Sequence, residues 1–338
     1  MSSTVPSVSP TVSVDEHEVT SLMLLLDELF GRRNFRVIAT RKRKSQSAND
    51  GGGFGYKTDY VIIYSRSPFA LVRRVPPSPE ATQKTHQEPN KDFPLSRWQH
   101  VSIRLSSGHQ GGGYDYERTS PDGTPHGGPW LCPLETYDDL ARSGRLYYGK
   151  KGSNAARRVM YDFESEGSPP DDLWIDVGTN AAGKKQLESI IGKGRFETPK
   201  PTTLIEHVAF VCNVGPDDII LDSFAGSGTT GHAVLDLNAR DGGDRRFILV
   251  EMDEAIARDV TAERLRRVSN GYNKGGDPSK PVEGLGGGFR YCTLGTPLFD
   301  EFGNIAEAVT FPDLAAHVCF SETGVPIPRR DLAAARRP

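Results

Sequence analysis

The stretch from Ile219 to Thr230, Ile-Ile-Leu-Asp-Ser-Phe-Ala-Gly-Ser-Gly-Thr-Thr, constrains this chain more than any other. Its apolar start predicts a buried strand, its glycines a tight turn, and Gly231 to Arg240 a helix. Glycine lets backbone come close to a ligand, and the start of a helix offers unpaired N–H groups. Phe247 to Val250 predicts a second strand, and Glu251 ends it. A carboxylate there, roughly 20 to 30 residues beyond the turn, is where a nucleotide site places its acceptor for ribose hydroxyls. A strand, a glycine turn, a helix, a second strand and a terminal acid, in that order, predict an α/β fold with a nucleotide-type site at the carboxyl ends of parallel strands.

The turn also discriminates among nucleotides. A phosphate loop needs lysine after its last glycine, and Thr229 follows Gly228 here. Gly226, Gly228 and Gly231 satisfy the bare Gly-x-Gly-x-x-Gly spacing of a dinucleotide site. The flanking residues decide against that ligand. Asp222 to Thr230 resembles the S-adenosylmethionine loop of amino-methylating DNA methyltransferases.

A chain of 338 residues can bury a sizeable core in one large or two smaller domains. Its net charge of -3 gives no global reason to expect nucleic acid. The distribution says more. Arg32, Arg33, Arg36, Arg41, Lys42, Arg43 and Lys44 fall between Gly31 and Lys44 with no acid among them. Such a run is a solvated loop or a phosphate-backbone contact. The four cysteines, Cys132, Cys212, Cys292 and Cys319, are far apart and form no Cys-x-x-Cys pair. That spacing argues against a zinc site and a disulfide framework. Apolar runs such as Leu22 to Leu26 are far too short to span a bilayer. A reducing, cytoplasmic setting with no membrane partner is expected.

Along the chain, Met1 to Val14 reads as a frayed tail or a strand remnant, and Leu22, Leu25, Leu26 and Leu29 mark the apolar face of a helix ending at Gly31. Phe35 to Thr40 and Tyr60 to Tyr64 read as strands, with Tyr60 and Tyr64 as core residues, and Ser45 to Gly55 as a loop. Proline, glycine and aromatics then become frequent. Tyr114, Tyr116, Trp130, Tyr137, Tyr147 and Tyr148 are interleaved with Arg118, Arg142, Arg145, Lys150 and Lys151. Aromatics among bases suit nucleic-acid contact, and a small β-rich module with an aromatic core fits equally well. Beyond Asp172, Leu204 to Val211 predicts a helix before the glycine turn, and Asp253 to Val268 a basic amphipathic helix after it. Asn270 to Gly288 reads as a glycine-rich linker or lid, and Phe289 to Phe299 could hold one more strand.

Several segments together resemble the modification subunit of type III restriction systems and related adenine-N6 DNA methyltransferases. They are Val12 to Glu18, Leu25 to Gly31 with Asn34 and Phe35, Lys57 to Tyr64, Gly144 to Gly149, Asp172 to Asp176, Thr198 to Pro201, Gly295 to Phe299 and Glu322 to Gly324. The cofactor loop follows the recognition-like region, the permuted order of that class. The resemblance implies a Rossmann-like S-adenosylmethionine-dependent methyltransferase sheet with an inserted irregular target-recognition subdomain. It divides the chain into methyltransferase core at 1–66, a recognition-like subdomain at 67–170, cofactor-binding core at 171–270, and a linker with a C-terminal family segment at 271–338. The implied reaction is methyl transfer from S-adenosylmethionine to adenine N6 in double-stranded DNA, within a restriction-modification system. A restriction subunit and a second copy of the chain are the implied partners. No metal is needed, because a sulfonium is already an activated leaving group.

By the same resemblance, Asp222, Phe224, Gly226, Ser227 and Gly228 line the methionine end of the cofactor, Glu251 takes the ribose hydroxyls, and Pro199 and Lys200 close the site. Thr229 and Thr230 are read as helix caps. Arg41, Lys42, Arg43 and Lys44 would hold DNA. One element is missing. The family's Asp-Pro-Pro-Tyr occurs nowhere in the chain. The only Pro-Pro pairs, Pro76-Pro77 and Pro169-Pro170, are followed by Ser78 and Asp171. The Ser-Pro-Pro-aromatic of a cytosine-N4 enzyme is therefore absent too. An exocyclic amine is a poor nucleophile, and that tetrapeptide supplies its acceptor pair and a ring to stack on a flipped base. The catalytic residues are thus unassigned. The expectation is a chain corresponding to the C-terminal part of such an enzyme: an adenine-specific methyltransferase working alone or after joining a missing N-terminal piece, or a non-catalytic cofactor- and DNA-binding subunit.

Overall fold

The computed structural model describes residues 9–45, 55–66, 72–105, 112–295 and 297–325. Thr11–Val14 (β1) is a strand, resolving the tail-or-strand alternative for those four residues. It is followed by α1 (Val19–Phe30), β2 (Phe35–Lys42) and β3 (Thr58–Tyr64). β3 pairs antiparallel with β1 on one side and β2 on the other, with a register shift between Phe35 and Val37. β3 reads as a nearly continuous apolar run because Val61, Ile62, Ile63 and Tyr64 are all buried. α1 stops where Gly31, at φ 82°, turns its N–H back to Asp27. It packs Leu26 and Leu22 against Ile62 and Tyr64. Leu25 and Leu29, expected on that buried face, are instead 49% and 64% exposed.

Between Val72 and Glu166 the chain builds small sheets and helices of its own within the same unit. These elements are α2 (Pro79–Thr85), β4 (Trp98–Ser102), β5 (Glu117–Thr119), β6 (Pro125–Gly127), α3 (Leu134–Arg142), β7 (Leu146–Tyr147) and β8 (Arg157–Tyr161). β8 runs antiparallel between β4 and β7, and β5 pairs with β6. Aromatic residues are their core. Trp98 packs with Phe93, Val159 and Tyr161, and Trp130 with Tyr137, Ile103 and Leu146. Tyr116 stacks on Trp130 with ring centroids 5.6 Å apart, and its hydroxyl donates to Cys132 O. Arg118 pairs with Asp138 and Arg145 with Glu164. The core alternative thus accounts for most of the aromatics, while Tyr114, Lys150 and Lys151 remain exposed.

The chain returns with β9 (Leu173–Trp174), which joins β2 in parallel and gives the sheet order β1-β3-β2-β9. α4 (Asn180–Ile191) and α5 (Thr202–Val211) follow, the latter packing Leu204 and Val211 on Ala39, Val61 and Trp174. Then come β10 (Ile219–Asp222), α6 (Thr229–Asp241) and β11 (Arg246–Leu249). β10 and β11 pair in parallel, a β-α-β unit of the expected kind. The expected helix after Glu251 is present as α7 (Glu254–Ile256), a π-helical stretch at Ala257–Ala262, and α8 (Glu263–Asn270). The expected linker carries a short ribbon, β12 (Tyr272–Asn273) with β13 (Pro281–Val282). A separate unit begins at Gly288. It contains α9 (Phe311–Thr323), and no strand forms at Phe289 to Phe299 among the described residues beyond a single bridge from Phe299 to Ile305.

A further expectation is corrected. β10 is not buried on both faces. Ile219, Leu221, Ile248 and Val250 lie on one face of the β10–β11 pair and are all exposed. The opposite face meets α6 and α8, where Gly231 lies against Leu249 and Leu265. No helix among the described residues is long and apolar enough to cross a membrane.

Candidate functional site

The glycine turn sits where β10 ends, and its geometry follows from its residue types. Gly226 and Gly228 have φ of 49° and 71°, a region that costs an L-residue about 1 to 2 kcal/mol. Gly228 is the N-cap of α6, so no side chain caps that helix. The Gly228 N–H donates to Ala225 O (2.8 Å), and the Ala225 N–H donates to Val250 O (2.9 Å), which pins the turn to the end of β11.

Two carboxylates hold the turn from the strand ends. Asp222 accepts the Phe224 N–H (3.1 Å) and the Thr230 hydroxyl (2.5 Å). Glu251 accepts the Gly226 N–H (2.8 Å) on one oxygen and the Asp253 N–H (3.0 Å) on the other. Each carboxylate oxygen has a further lone pair. Glu251 thus ends at the turn and keeps capacity for a hydroxyl. The Phe224 ring is 80% exposed beside them. Ser227 is buried, with its hydroxyl 3.1 Å from the Thr229 hydroxyl.

Thr229 and Thr230 do not cap. Both are buried; Thr230 binds Asp222, and Thr229 donates to Lys200 O (3.0 Å). That bond fastens the segment before α5 to the first turn of α6. Pro199 is buried in it. From the other side Gly183 of α4 approaches so closely that a Cβ there would stand 2.4 Å from Pro199 O. Lys200 turns its ammonium to Asp59, 2.5 Å away, at the start of β3.

Asp59 accepts a second cation, and this places Arg41. The expectation of Arg41 as a DNA contact does not fit its surroundings. Its side chain is fully buried; Nη1 donates to Asp59 (3.1 Å) and Asn180 Oδ1 (3.0 Å), and Nη2 to Gly178 O (2.8 Å). Burial lowers the Arg41 pKa, opposed by Asp59. The reason is strand alternation: residues along β2 face opposite sides, and Arg41 faces inward toward α4. Lys42, Arg43 and Lys44 are half-buried at the end of β2. Arg43 pairs with Glu16 (3.3 Å).

Three neighbours of the turn escaped sequence reading. The Phe196 ring lies 3.2 Å from where a Gly226 Cβ would be. The Thr261 hydroxyl donates to Gly226 O (2.6 Å). Arg264 donates to Ser227 O (3.1 Å) and the Thr229 hydroxyl (2.9 Å). Arg264 sits in an Arg-rich helix and reads from sequence as solvated, while Thr261 carries no local signal at all.

A profile of the N6/N4 DNA methylase family matches residues 4–263 of this chain. The chain belongs to that family. The glycine turn, Glu251 and the Thr198 to Pro201 segment all fall inside the matched span. The chain is 37% identical to the type III restriction-modification enzyme StyLTI Mod subunit of Salmonella typhimurium over 262 residues, 78% of this chain and 39% of that protein. It is 25% identical to the type II methyltransferase M.KpnI of Klebsiella pneumoniae, over 77% of this chain and 69% of that protein. It is likewise 25% identical to the EcoP15I Mod subunit of Escherichia coli, covering 45% of it. The chain thus spans less than half the length of these two Mod subunits. Among its described residues no group of three metal-ligating side chains converges.

Proposed function

We propose that this chain is the S-adenosylmethionine-binding part of a site-specific DNA methyltransferase of a restriction-modification system, acting on adenine N6. The observation that carries the reading is the convergence of Glu251 on Gly226 at the carboxyl ends of two parallel strands. Open α/β sheets bind ligands at such strand ends. The residues suit the cofactor. Glu251 offers an acceptor for ribose hydroxyls, Phe224 an exposed ring, and the turn a backbone close enough to exclude side chains. Lys200 and Pro199 belong to the wall of the site through Thr229. The bound cofactor supplies a methyl group on a sulfonium, and the chain's own residues orient it. A Rossmann-like sheet, with Asp222 and Glu251 at its carboxyl edge, is the fold this proposal entails.

Adenine as the target rests on the ordered segments shared with Mod subunits, and double-stranded DNA is the substrate this implies. Lys42, Arg43 and Lys44 are the proposed phosphate contacts at the end of β2, with Arg41 reassigned to the interior. A restriction subunit and a second copy of the chain are the partners this reading implies.

A second reading has one observation in its favour. A parallel sheet is ordinarily covered on both faces, and Ile219, Leu221, Ile248 and Val250 form an exposed apolar face beside Phe224. On this reading a further polypeptide segment covers that face and brings the acceptor groups for the target amine. The chain alone then binds cofactor and DNA without transferring methyl. The experiment is transfer of labelled methyl from S-adenosylmethionine to mixed-sequence DNA by the purified chain, with cofactor affinity measured in parallel. Label at adenine N6 supports the first reading. Cofactor binding without transfer supports the second. Label at cytosine N4 redirects the target, and failure to bind cofactor refutes both.

A further inference from the structure

A second charged cluster lies on the outer side of the helical run that follows Glu251. Arg258, Asp259, Glu263, Arg266 and Arg267 come from that run, and Arg195 from the segment after α4. Together they line a cavity of about 270 Å³. In π-helical geometry residues five apart share a face. The stretch Ala257–Ala262 thus brings Arg258 onto the face of Glu263, whose partners at i+3 and i+4 are Arg266 and Arg267. Thr261 and Arg264, from the same run, point the other way and reach the glycine turn.

The charges around this cavity do not balance. Arg258 chelates Asp259 through Nε (2.8 Å) and Nη2 (3.0 Å). Those bonds, more than the nearby charges of Arg258 and Arg195, hold the Asp259 carboxyl below the usual carboxylate range. Glu263 serves Arg266 and Arg267 at once. Arg267 also donates to Ile190 O (2.7 Å), so it braces the end of α4. Arg195 is exposed and forms no ion pair among the described residues. Four guanidiniums thus face two carboxylates, an excess of two positive charges. Exposed ion pairs add little to stability, so stability does not account for gathering like charges around a concavity. Each guanidinium carries five N–H donors in a planar fork that meets phosphate oxygens in pairs. Arg266 spends one donor on Glu263 and Arg195 spends none on a carboxylate, so donors remain for a ligand.

We propose that Arg195, Arg258 and Arg266 form a binding site for phosphate groups, with Asp259 and Glu263 holding the forks of Arg258 and Arg266 in place. A phosphate dianion matches the excess charge, and so do two phosphodiesters of a nucleic-acid backbone. The proposal rests on the DNA reading only for its source. On that reading the duplex backbone is the polyanion, and the site is a second phosphate contact besides Lys42, Arg43 and Lys44. A free polyphosphate is the other source of the same chemistry.

The test uses the full chain with two probes, tripolyphosphate by calorimetry and a short DNA duplex by fluorescence anisotropy over a salt series. Arg195→Gln with Arg266→Gln removes two exposed charges. It is expected to weaken binding at least about fivefold and, on DNA, to lower the slope of log affinity against log salt by about 2. Asp259→Asn raises the excess charge and is expected to tighten binding at least about twofold. Damage to the fold would weaken binding in both variants, so the opposite signs separate a phosphate site from a structural role. A lower DNA slope names the backbone as the source, and a response confined to tripolyphosphate names a free polyphosphate. Unchanged affinity for both probes in the double variant, or no tightening in Asp259→Asn, overturns the proposal. A wild-type chain that binds tripolyphosphate through these residues and no DNA refutes the DNA reading and leaves the site standing. A wild-type chain that binds neither probe overturns the site.

Discussion

Replacing Arg41 by leucine should destabilise the protein strongly and leave intrinsic DNA contact largely intact. Arg41 makes three hydrogen bonds from a side chain with no solvent exposure, to Asp59, Asn180 and Gly178. Leucine restores part of the volume and none of the donors. Asp59 keeps Lys200 at 2.5 Å, so its charge is not stranded. Gly178 O and Asn180 Oδ1 lose their charged donor, at about 1 to 3 kcal/mol each. A net loss of about 3 to 5 kcal/mol is expected, within the combined cost of those two acceptors. At a urea dependence of about 2 to 3 kcal/mol per molar, the unfolding midpoint falls by about 1 to 2 M. The assay is urea unfolding followed by tryptophan fluorescence, since Trp174 pairs with Arg41 across β2 and β9. Lys44→Ala serves as the surface control, expected within about 0.5 kcal/mol of the parent. The double variant Arg41→Leu with Asp59→Leu should be less destabilised than the sum of its parts, because contacting groups couple. An Arg41→Leu chain with an unchanged midpoint and weakened DNA binding would refute the reasoning and restore Arg41 to the DNA surface.

Three further outcomes follow from the same geometry. Lys42→Ala with Lys44→Ala should weaken DNA binding without shifting the unfolding midpoint, and should reduce the slope of log affinity against log salt by up to about 2; an unchanged slope removes these residues from the interface. Gly228→Ala places a Cβ 3.1 Å from Thr261 at φ 71°, so calorimetry should show weaker S-adenosylmethionine binding, and thermal unfolding a loss of about 1 to 2 kcal/mol. His232 has a folded pKa of about 3 against an unfolded value near 6.5, so the unfolded state binds the extra proton. Its stability contribution is complete above about pH 6.5 and is lost as pH falls toward 3, at up to about 1.4 kcal/mol per pH unit. Half-buried His207, also lowered by burial, adds in the same direction. Urea midpoints between pH 7 and 4.5 should show a shallower slope for His232→Asn.

Local chemistry made much of the candidate site legible in the chain. A turn that needs positive φ demands glycine, so Gly226 and Gly228 announced themselves, and an acid ending the next strand announced Glu251. Strand β3 was equally plain, because a strand buried on both faces carries an unbroken apolar run. The helix after Glu251 was visible as periodicity, although its π-helical stretch was not. What resisted reading were the groups defined by what lies opposite them. Arg41 and Lys44 are both basic residues in one short run, and only the pairing of β2 with β9 and α4 turns Arg41 inward onto Asp59. Arg264 and Arg266 sit in the same Arg-rich helix, yet one is sealed beneath the glycine turn and the other is exposed. Ile219 and Leu221 are apolar in a strand, and whether they are covered depends on elements elsewhere. Sequence by itself determined the residues whose conformation or period is local: the glycine turn, the strand-ending acid, the apolar runs and the family they spell out. Tertiary structure alone decided burial, charge partners and exposed faces, because these depend on which distant segments pack together, and no single stretch of chain encodes its own neighbours.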